Sequence, residues 1–108
     1  MKTGLKGPDP AQDCPVTRCL QVIGGKWKPV ILFSISNGVD RFGAMRRAIP
    51  GITKQMLTQQ LRELEADGVL TRTVHPVVPP RVDYALTERG TSLLTVVSAM
   101  RDWGQANA

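Results

Sequence analysis

Polar side chains recur at helical spacing between residues 53 and 67. At about 100° per residue, Leu57, Leu61 and Leu64 share one face of such a helix, while amides, a hydroxyl and a guanidinium lie opposite. The polar side chains are Gln55, Thr58, Gln59 and Arg62, with Lys54 in the first turn. Amides and guanidinium groups match the base edges of a DNA major groove, and a first-turn lysine suits a phosphate. The pattern predicts a DNA-contacting helix, and an ordinary solvated face is the alternative.

A second helix is predicted immediately before this one, over residues 41–48. Pro50 lacks an amide hydrogen and disfavours helical geometry at Ile49, so the helix should end there. Thr53 can cap the following helix with its hydroxyl, and Gly68 can end it in left-handed geometry. The order is therefore helix, short turn, helix.

The basic residues are concentrated around these two helices. The 108 residues carry a formal net charge of +5 at pH 7, and the sequence pI is about 9.8. Between Lys26 and Arg62, only Asp40 opposes the cations. A basic stripe of this kind neutralises phosphates and releases counterions, so binding should weaken steeply with salt. The arginines expected to contact backbone phosphates are Arg41, Arg46, Arg47, Arg72 and Arg81.

Other functional classes find little support in the residues. Cys14, Cys19 and His75 do not form a zinc set with recognised spacing. Paired carboxylates, a glycine-rich phosphate loop and a nucleophile elbow are lacking, so we expect no enzyme, no metal and no cofactor. No apolar run approaches bilayer length, and residues 1–13 have no apolar core for secretion. We therefore expect a cytoplasmic protein with no membrane partner, whose cysteines remain thiols.

Two alternating segments follow the central helices. Residues 69–75 and 81–86 alternate as strands do, and prolines fill the connection between them. The pair predicts a hairpin with a stiff loop, flanked by Arg72, His75 and Arg81. These side chains could meet a phosphate backbone or a minor groove, and a solvated hairpin is the alternative.

Further helices are predicted at the two ends of the domain. Residues 16–23 are expected to form a short helix with Val16, Leu20 and Ile23 inward, and residues 26–36 the next one. Trp27 is expected to pack in the core, and lining a ligand pocket is the alternative. Thr87 caps a last helix over residues 88–103, which is apolar on more than one side. A partner subunit, or the chain's own N-terminal helix, would cover its second side.

Taken together, these elements predict a mainly α fold with a small antiparallel β-hairpin, a winged helix-turn-helix. Residues 1–13, rich in glycine and proline, form a predicted flexible tail. Residues 14–108 form one domain with dimerisation helices at its ends.

The order of elements and several motifs resemble the HxlR-type transcriptional regulators. The motifs are CPVTRCLQVIGGKW from Cys14, RFGAMRRAIPGITKQMLTQQLRELEADGVLTR from Arg41 and PVVPPRVDYALTERG from Pro76. The resemblance implies a dimeric, cytoplasmic repressor or activator, with a fold related to that of MarR-type regulators and dimers formed through the N- and C-terminal helices. It places the recognition helix at residues 53–67 and the wing at residues 74–82. A two-fold dimer would bind a double-stranded, pseudo-palindromic operator with half-sites about one DNA turn apart.

The resemblance also implies a sensing role for Cys14, because several members of the family respond to oxidants, electrophiles or aldehydes through the cysteine of a CP motif. A thiolate near a helix start and Arg18 is electrostatically favoured and reacts sooner. Cys19 is an additional thiol that could act as a resolving partner. Two inert, partly buried thiols are the alternative.

A protein-interaction module of the same fold is the main rival to DNA binding, since fold does not determine function. The polar face around Gln55, Gln59 and Arg62 argues against it, because a protein-docking helix more often exposes apolar anchors.

Overall fold

The structure, a computed structural model, describes residues 14–108, so the predicted tail at residues 1–13 lies outside the described residues. Its elements in chain order are α1 (Pro15–Ile23), α2 (Lys28–Ser36), α3 (Phe42–Ala48), α4 (Lys54–Ala66), β1 (Leu70–His75), β2 (Arg81–Leu86), α5 (Glu88–Ser92) and α6 (Leu94–Asn107). The strands pair as one antiparallel sheet. The predicted fold class, mainly helical with a small hairpin, is confirmed.

The turn between α3 and α4 depends on local backbone chemistry. Ile49 ends α3 in an extended conformation, and Gly51 adopts a positive φ of 85° in the turn. The Thr53 hydroxyl then accepts a 3.0 Å hydrogen bond from the Met56 N–H and caps α4. Gly68 ends that helix with a φ of 76°. The predicted helix-turn-helix is confirmed, within one or two residues at each boundary.

The core holds α4 by its apolar face. Leu57, Leu61 and Leu64 are each at most 1% exposed. They belong to the same buried cluster as Leu32 of α2 and Met45 of α3. Each buried leucine contributes roughly 1.5–3 kcal/mol relative to an exposed one. Burial of this face turns the opposite, polar face of α4 outward.

The hairpin is attached to the start of α3 as well as to the end of α4. Arg41 and Asp83 form an isolated antiparallel bridge, and the Tyr84 N–H donates to the Asp40 carbonyl oxygen over 2.9 Å. At the other end of β2, the Thr87 hydroxyl donates to the Gly68 carbonyl oxygen over 2.7 Å. These bonds position the loop at residues 76–80, the wing loop, beside the helix-turn-helix.

Two helical predictions were wrong in detail. The predicted helix over residues 88–103 is divided at Leu93, whose N–H bonds to the Gly90 carbonyl oxygen three residues earlier. This tighter turn separates α5 from α6. Val16 and Leu20, predicted to face inward, are 67% and 55% exposed, whereas Ile23 is buried. The core therefore covers the C-terminal half of α1 and leaves its first turn exposed.

Candidate nucleic-acid interface

The polar face of α4 is accessible to a ligand. Gln55, Gln59 and Arg62 are exposed, as is Lys54 in the first turn, and Thr58 is half-buried. The Thr58 hydroxyl donates to the Lys54 carbonyl oxygen over 2.8 Å, so its proton is used within the helix and its oxygen remains an acceptor. The predicted groove-contacting residues therefore lie together along one side of α4.

One residue of this face, Gln59, is hydrogen-bonded to a neighbour on the same helix. Its Nε2 donates to Glu63 Oε2 over 2.6 Å, and Glu63 Oε1 lies 2.6 Å from Lys28 Nζ. The bonds from Lys28 and then Gln59 hold the pKa of the Glu63 carboxyl below its ordinary value. The carboxylate is thus ionised at neutral pH and links α4 to α2.

A concave groove lies between α4 and the hairpin, with a volume of about 420 Å³. It brings together four of the predicted DNA contacts with a carboxylate and apolar residues that sequence reasoning did not identify. The lining residues are Phe42, Lys54, Thr58, Arg62, Glu65, Arg72, Val82 and Tyr84. A nucleic-acid backbone can lie in a groove of this kind, between the side chains that contact bases and those that contact phosphates.

A second groove, of about 320 Å³, lies between α3 and the wing. Arg41, Arg47 and Arg81 all line it, so the fold brings together arginines that are far apart in the chain. Arg46 is exposed on α3 as well. Three guanidinium groups around one concave surface are suited to a phosphate.

Asp83 modifies the charge of this second groove. Its carboxylate lies 3.5 Å from Arg41 Nε and 3.4 Å from Arg81 Nε. The other carboxylate oxygen lies 2.9 Å from His75 Nε2. Two of the predicted phosphate contacts, Arg41 and Arg81, therefore already have an anionic partner. Asp83 was missed because its role depends on strand register, although its position two residues after Arg81 on the same strand face was a usable signal.

Cys14 lies outside these grooves, at the N-cap of α1. The backbone N–H groups of Thr17 and then of Val16 lower the pKa of the Cys14 thiol from its ordinary value, with a smaller contribution from the Arg18 charge. Cys19 lies further along α1 in a cavity of about 340 Å³ shared with Arg89 and Leu93. Both cysteines are free thiols in the structure.

Residues 14–108 also bear on metal binding and membrane insertion. These residues contain no cluster of three or more His, Cys, Asp or Glu side chains able to hold a metal ion. Over the same range, no helix is long and apolar enough to cross a membrane.

A capped recognition helix with an exposed polar face, a short turn before it and an anchored hairpin after it define a winged helix-turn-helix DNA-binding protein. Comparison with known proteins identifies the family. The model of the HxlR-like helix-turn-helix family matches residues 22–108, and the chain belongs to this family.

The relatives are transcriptional regulators. The HTH-type transcriptional regulator YybR of Bacillus subtilis is 50% identical over 96 residues, which cover 89% of this chain and 77% of YybR. An HTH-type transcriptional regulator of Methanothermobacter thermautotrophicus is 44% identical over 106 residues, covering 95% of this chain and 81% of the relative. This chain is accordingly a DNA-binding transcriptional regulator, as the sequence predicted.

Solved structures agree with this assignment. The redox regulator HypR in its oxidized form matches with a TM-score of 0.83 and 50% identity, over 88% of this chain and 98% of HypR. The reduced form of the transcriptional regulator YodB from B. subtilis matches with a TM-score of 0.72 and 33% identity, over 88% of this chain and 94% of YodB.

Proposed function

We propose that this regulator binds operator DNA with α4 in the major groove and the wing loop along the backbone. The observation that supports it is the exposed polar face of α4, beside one arginine-lined groove shared with the hairpin and near a second groove between α3 and the wing. The major-groove contacts are assigned to Lys54, Gln55, Thr58, Gln59 and Arg62. The phosphate contacts are assigned to Arg41, Arg46, Arg47, Arg72 and Arg81.

The functional unit in this proposal is a homodimer formed through α1 and α6. Val16 and Leu20 are exposed on α1, and Met100 and Trp103 are 46% and 69% exposed on α6. Large apolar side chains clustered at the ends of a monomer are typical of a subunit interface. A two-fold dimer places its recognition helices roughly 34–36 Å apart, so the operator should be a pseudo-palindrome.

Cys14 is the proposed sensor of oxidants or electrophiles. Its thiolate would attack hydrogen peroxide, forming an S–O bond and releasing hydroxide, and the product would be a sulfenic acid. Because Cys14 is the N-cap residue of α1, oxidation would change the conformation at the start of this helix. Val16 and Leu20, on the same helix, belong to the proposed dimer interface. The likeness to a redox regulator supports this assignment.

Selection of bound duplexes from a random DNA pool, with and without hydrogen peroxide, tests the proposal. The expected result is an inverted-repeat motif that is lost on oxidation of the wild type and retained by Cys14→Ser. Titrations of the selected operator at low and high salt should show a steep loss of affinity. Absence of binding to any duplex at low salt would contradict the proposal and favour a protein-interaction module.

A further inference from the structure

Gln59 differs from the other polar residues of the α4 face because its amide is held by a charged partner within the same subunit. Glu63 lies one helical turn after it, and the 2.6 Å distance joins Gln59 Nε2 to Glu63 Oε2. An ionised carboxylate only accepts hydrogen bonds, so the amide must turn its NH₂ end toward it. The carbonyl end, Oε1, then faces away from Glu63.

The orientation of Glu63 is itself determined from the core. Lys28 is 8% exposed and lies at the start of α2. Its ammonium contacts the second carboxylate oxygen, Glu63 Oε1, at 2.6 Å. A buried ammonium without an anion would be strongly destabilised, so the lysine retains the glutamate in this position. Lys28 therefore contacts one carboxylate oxygen of Glu63 and Gln59 contacts the other.

This arrangement has a consequence for base selection. A glutamine that rotates freely can present either its oxygen or its NH₂ group to a base edge, and so tolerates both donors and acceptors. A flip of the held amide would place Gln59 Oε1 against the Glu63 carboxylate, where two acceptors repel. The held amide can therefore present its oxygen outward, and a base that donates a hydrogen bond is the complementary partner.

We propose that Glu63 is a positioning residue for Gln59, and that the Lys28–Glu63–Gln59 chain makes this regulator prefer, at the base Gln59 contacts, adenine or cytosine over guanine or thymine. Adenine N6 and cytosine N4 donate in the major groove, whereas guanine and thymine present only acceptors there. The second Nε2 proton adds a bond to adenine N7 when that base is present. This inference rests on the proposed placement of α4 in the major groove.

Substitution of Glu63 provides the test, because two replacements have different expected results. Glu63→Ala frees the amide, and discrimination between the two classes of base should fall about tenfold. In Glu63→Gln, Lys28 donates to the new carboxamide oxygen, so the new NH₂ group faces Gln59. The Gln59 amide should then flip, and the preference should shift toward guanine or thymine.

The readout is the ratio of dissociation constants for four versions of the selected operator, which differ only at the base pair identified by Gln59→Ala. A ratio is needed because loss of a negative charge near DNA raises affinity for every sequence. Asp67→Asn is the matched control, since it removes one charge at the C-terminal end of α4. It should strengthen all four complexes equally and leave the ratios unchanged. Thermal melts of each variant verify folding, and Glu63→Gln retains an acceptor for the buried lysine.

The possible results separate this inference from the proposed function. Unchanged ratios in both Glu63 variants, with Gln59→Ala altering one position, would overturn the positioning role and leave operator binding intact. Gln59→Ala that alters no base preference would overturn the inference in the same way. A wild type that binds no duplex would instead contradict the proposed function.

Discussion

The Tyr84 N–H donates a hydrogen bond to the Asp40 carbonyl oxygen over 2.9 Å, and so joins β2 to the residue before the N-cap of α3. The neighbouring bridge between Arg41 and Asp83 adds a third, minimal strand to the hairpin. The wing therefore does not extend freely from the end of α4. Its position relative to α4 is determined at both ends, which is what the proposed base and backbone contacts require.

Asp83 provides the first prediction, because its carboxylate contacts three cationic or ionisable side chains of the wing region. Asp83→Ala should lower the free energy of unfolding by about 1 kcal/mol, since the pairs are partly exposed. It should also release Arg41 and Arg81 toward phosphates and steepen the dependence of log affinity on log salt by about 1. Urea unfolding and anisotropy titrations with a non-specific duplex measure the two effects.

Asp102→Ala is the control for that experiment, because Asp102 pairs with Arg101 on α6, over 2.8 Å and outside the wing. It removes the same charge and should leave the salt slope unchanged. An Asp83 variant with wild-type slope and stability would show that the carboxylate neither anchors the wing nor shields its arginines.

Arg62 and Arg46 carry the second prediction, since both are exposed arginines with different proposed partners. Arg62→Ala should cost about 1–3 kcal/mol of operator affinity and relax selectivity at one base pair. Arg46→Ala should weaken all sequences alike and reduce the salt slope by about 1. Competition binding with single-base operator variants distinguishes them. If Arg62→Ala weakened binding to every operator variant equally, Arg62 would instead be assigned to a backbone phosphate.

The elements that the sequence predicted well are those controlled by neighbouring residues. Pro50 ends a helix, and Thr53 and Thr87 cap helices, through bonds that span only a few residues. The apolar face of α4 follows from helical periodicity in the same way. Such features need no knowledge of the rest of the chain.

Features that depend on distant pairing were not predictable in this way. The contact of Asp83 with Arg41 requires the register of β1 and β2 and the attachment of the hairpin to α3. The outward position of Val16 and Leu20 depends on what covers α1, which periodicity cannot specify. The Gln59–Glu63 bond is an intermediate case, because a spacing of four residues on a helix does indicate it.

Gly90 carries the third prediction, because the backbone of Val69 lies very close to it. A Cβ added there would overlap the Val69 carbonyl oxygen, which is backbone and cannot easily move. Gly90→Ala should therefore destabilise the fold by about 1–3 kcal/mol. Gly43→Ala in α3 is the control, since its Cβ would lie 3.5 Å from Arg47 Nη1. That change should stabilise the fold by about 0.5–1 kcal/mol. Denaturant midpoints measure both, and an unaltered midpoint for Gly90→Ala would contradict the proposed overlap.

Trp103 carries the fourth prediction, as the most exposed large apolar residue of α6. Trp103→Asp should separate the proposed dimer, because a charge would be buried in an apolar interface. Sedimentation would show a monomer, and affinity for the full operator should fall to that of a half-site. Gln105→Asp is the control on the same helix, because residue 105 lies roughly 160° around the helix from Trp103. Monomers in the wild type, or in both variants, would contradict the assigned interface.

Cys14 carries the last prediction, which concerns pH. The backbone N–H groups of Thr17 and then of Val16 at the start of α1 lower the pKa of its thiol, so the thiolate persists to a lower pH than in an ordinary cysteine. The rate of alkylation by iodoacetamide, which follows the thiolate, should reach half its maximum at a lower pH in the folded Cys19→Ser variant than in the same variant unfolded in urea. Unfolding removes the helix start, so the midpoint should rise toward the ordinary value. Coincident midpoints would show that the cap does not activate the thiol. If the folded Cys14 still reacted quickly but its pH midpoint matched that of the unfolded variant, its reactivity would come from solvent exposure and not from a lowered pKa.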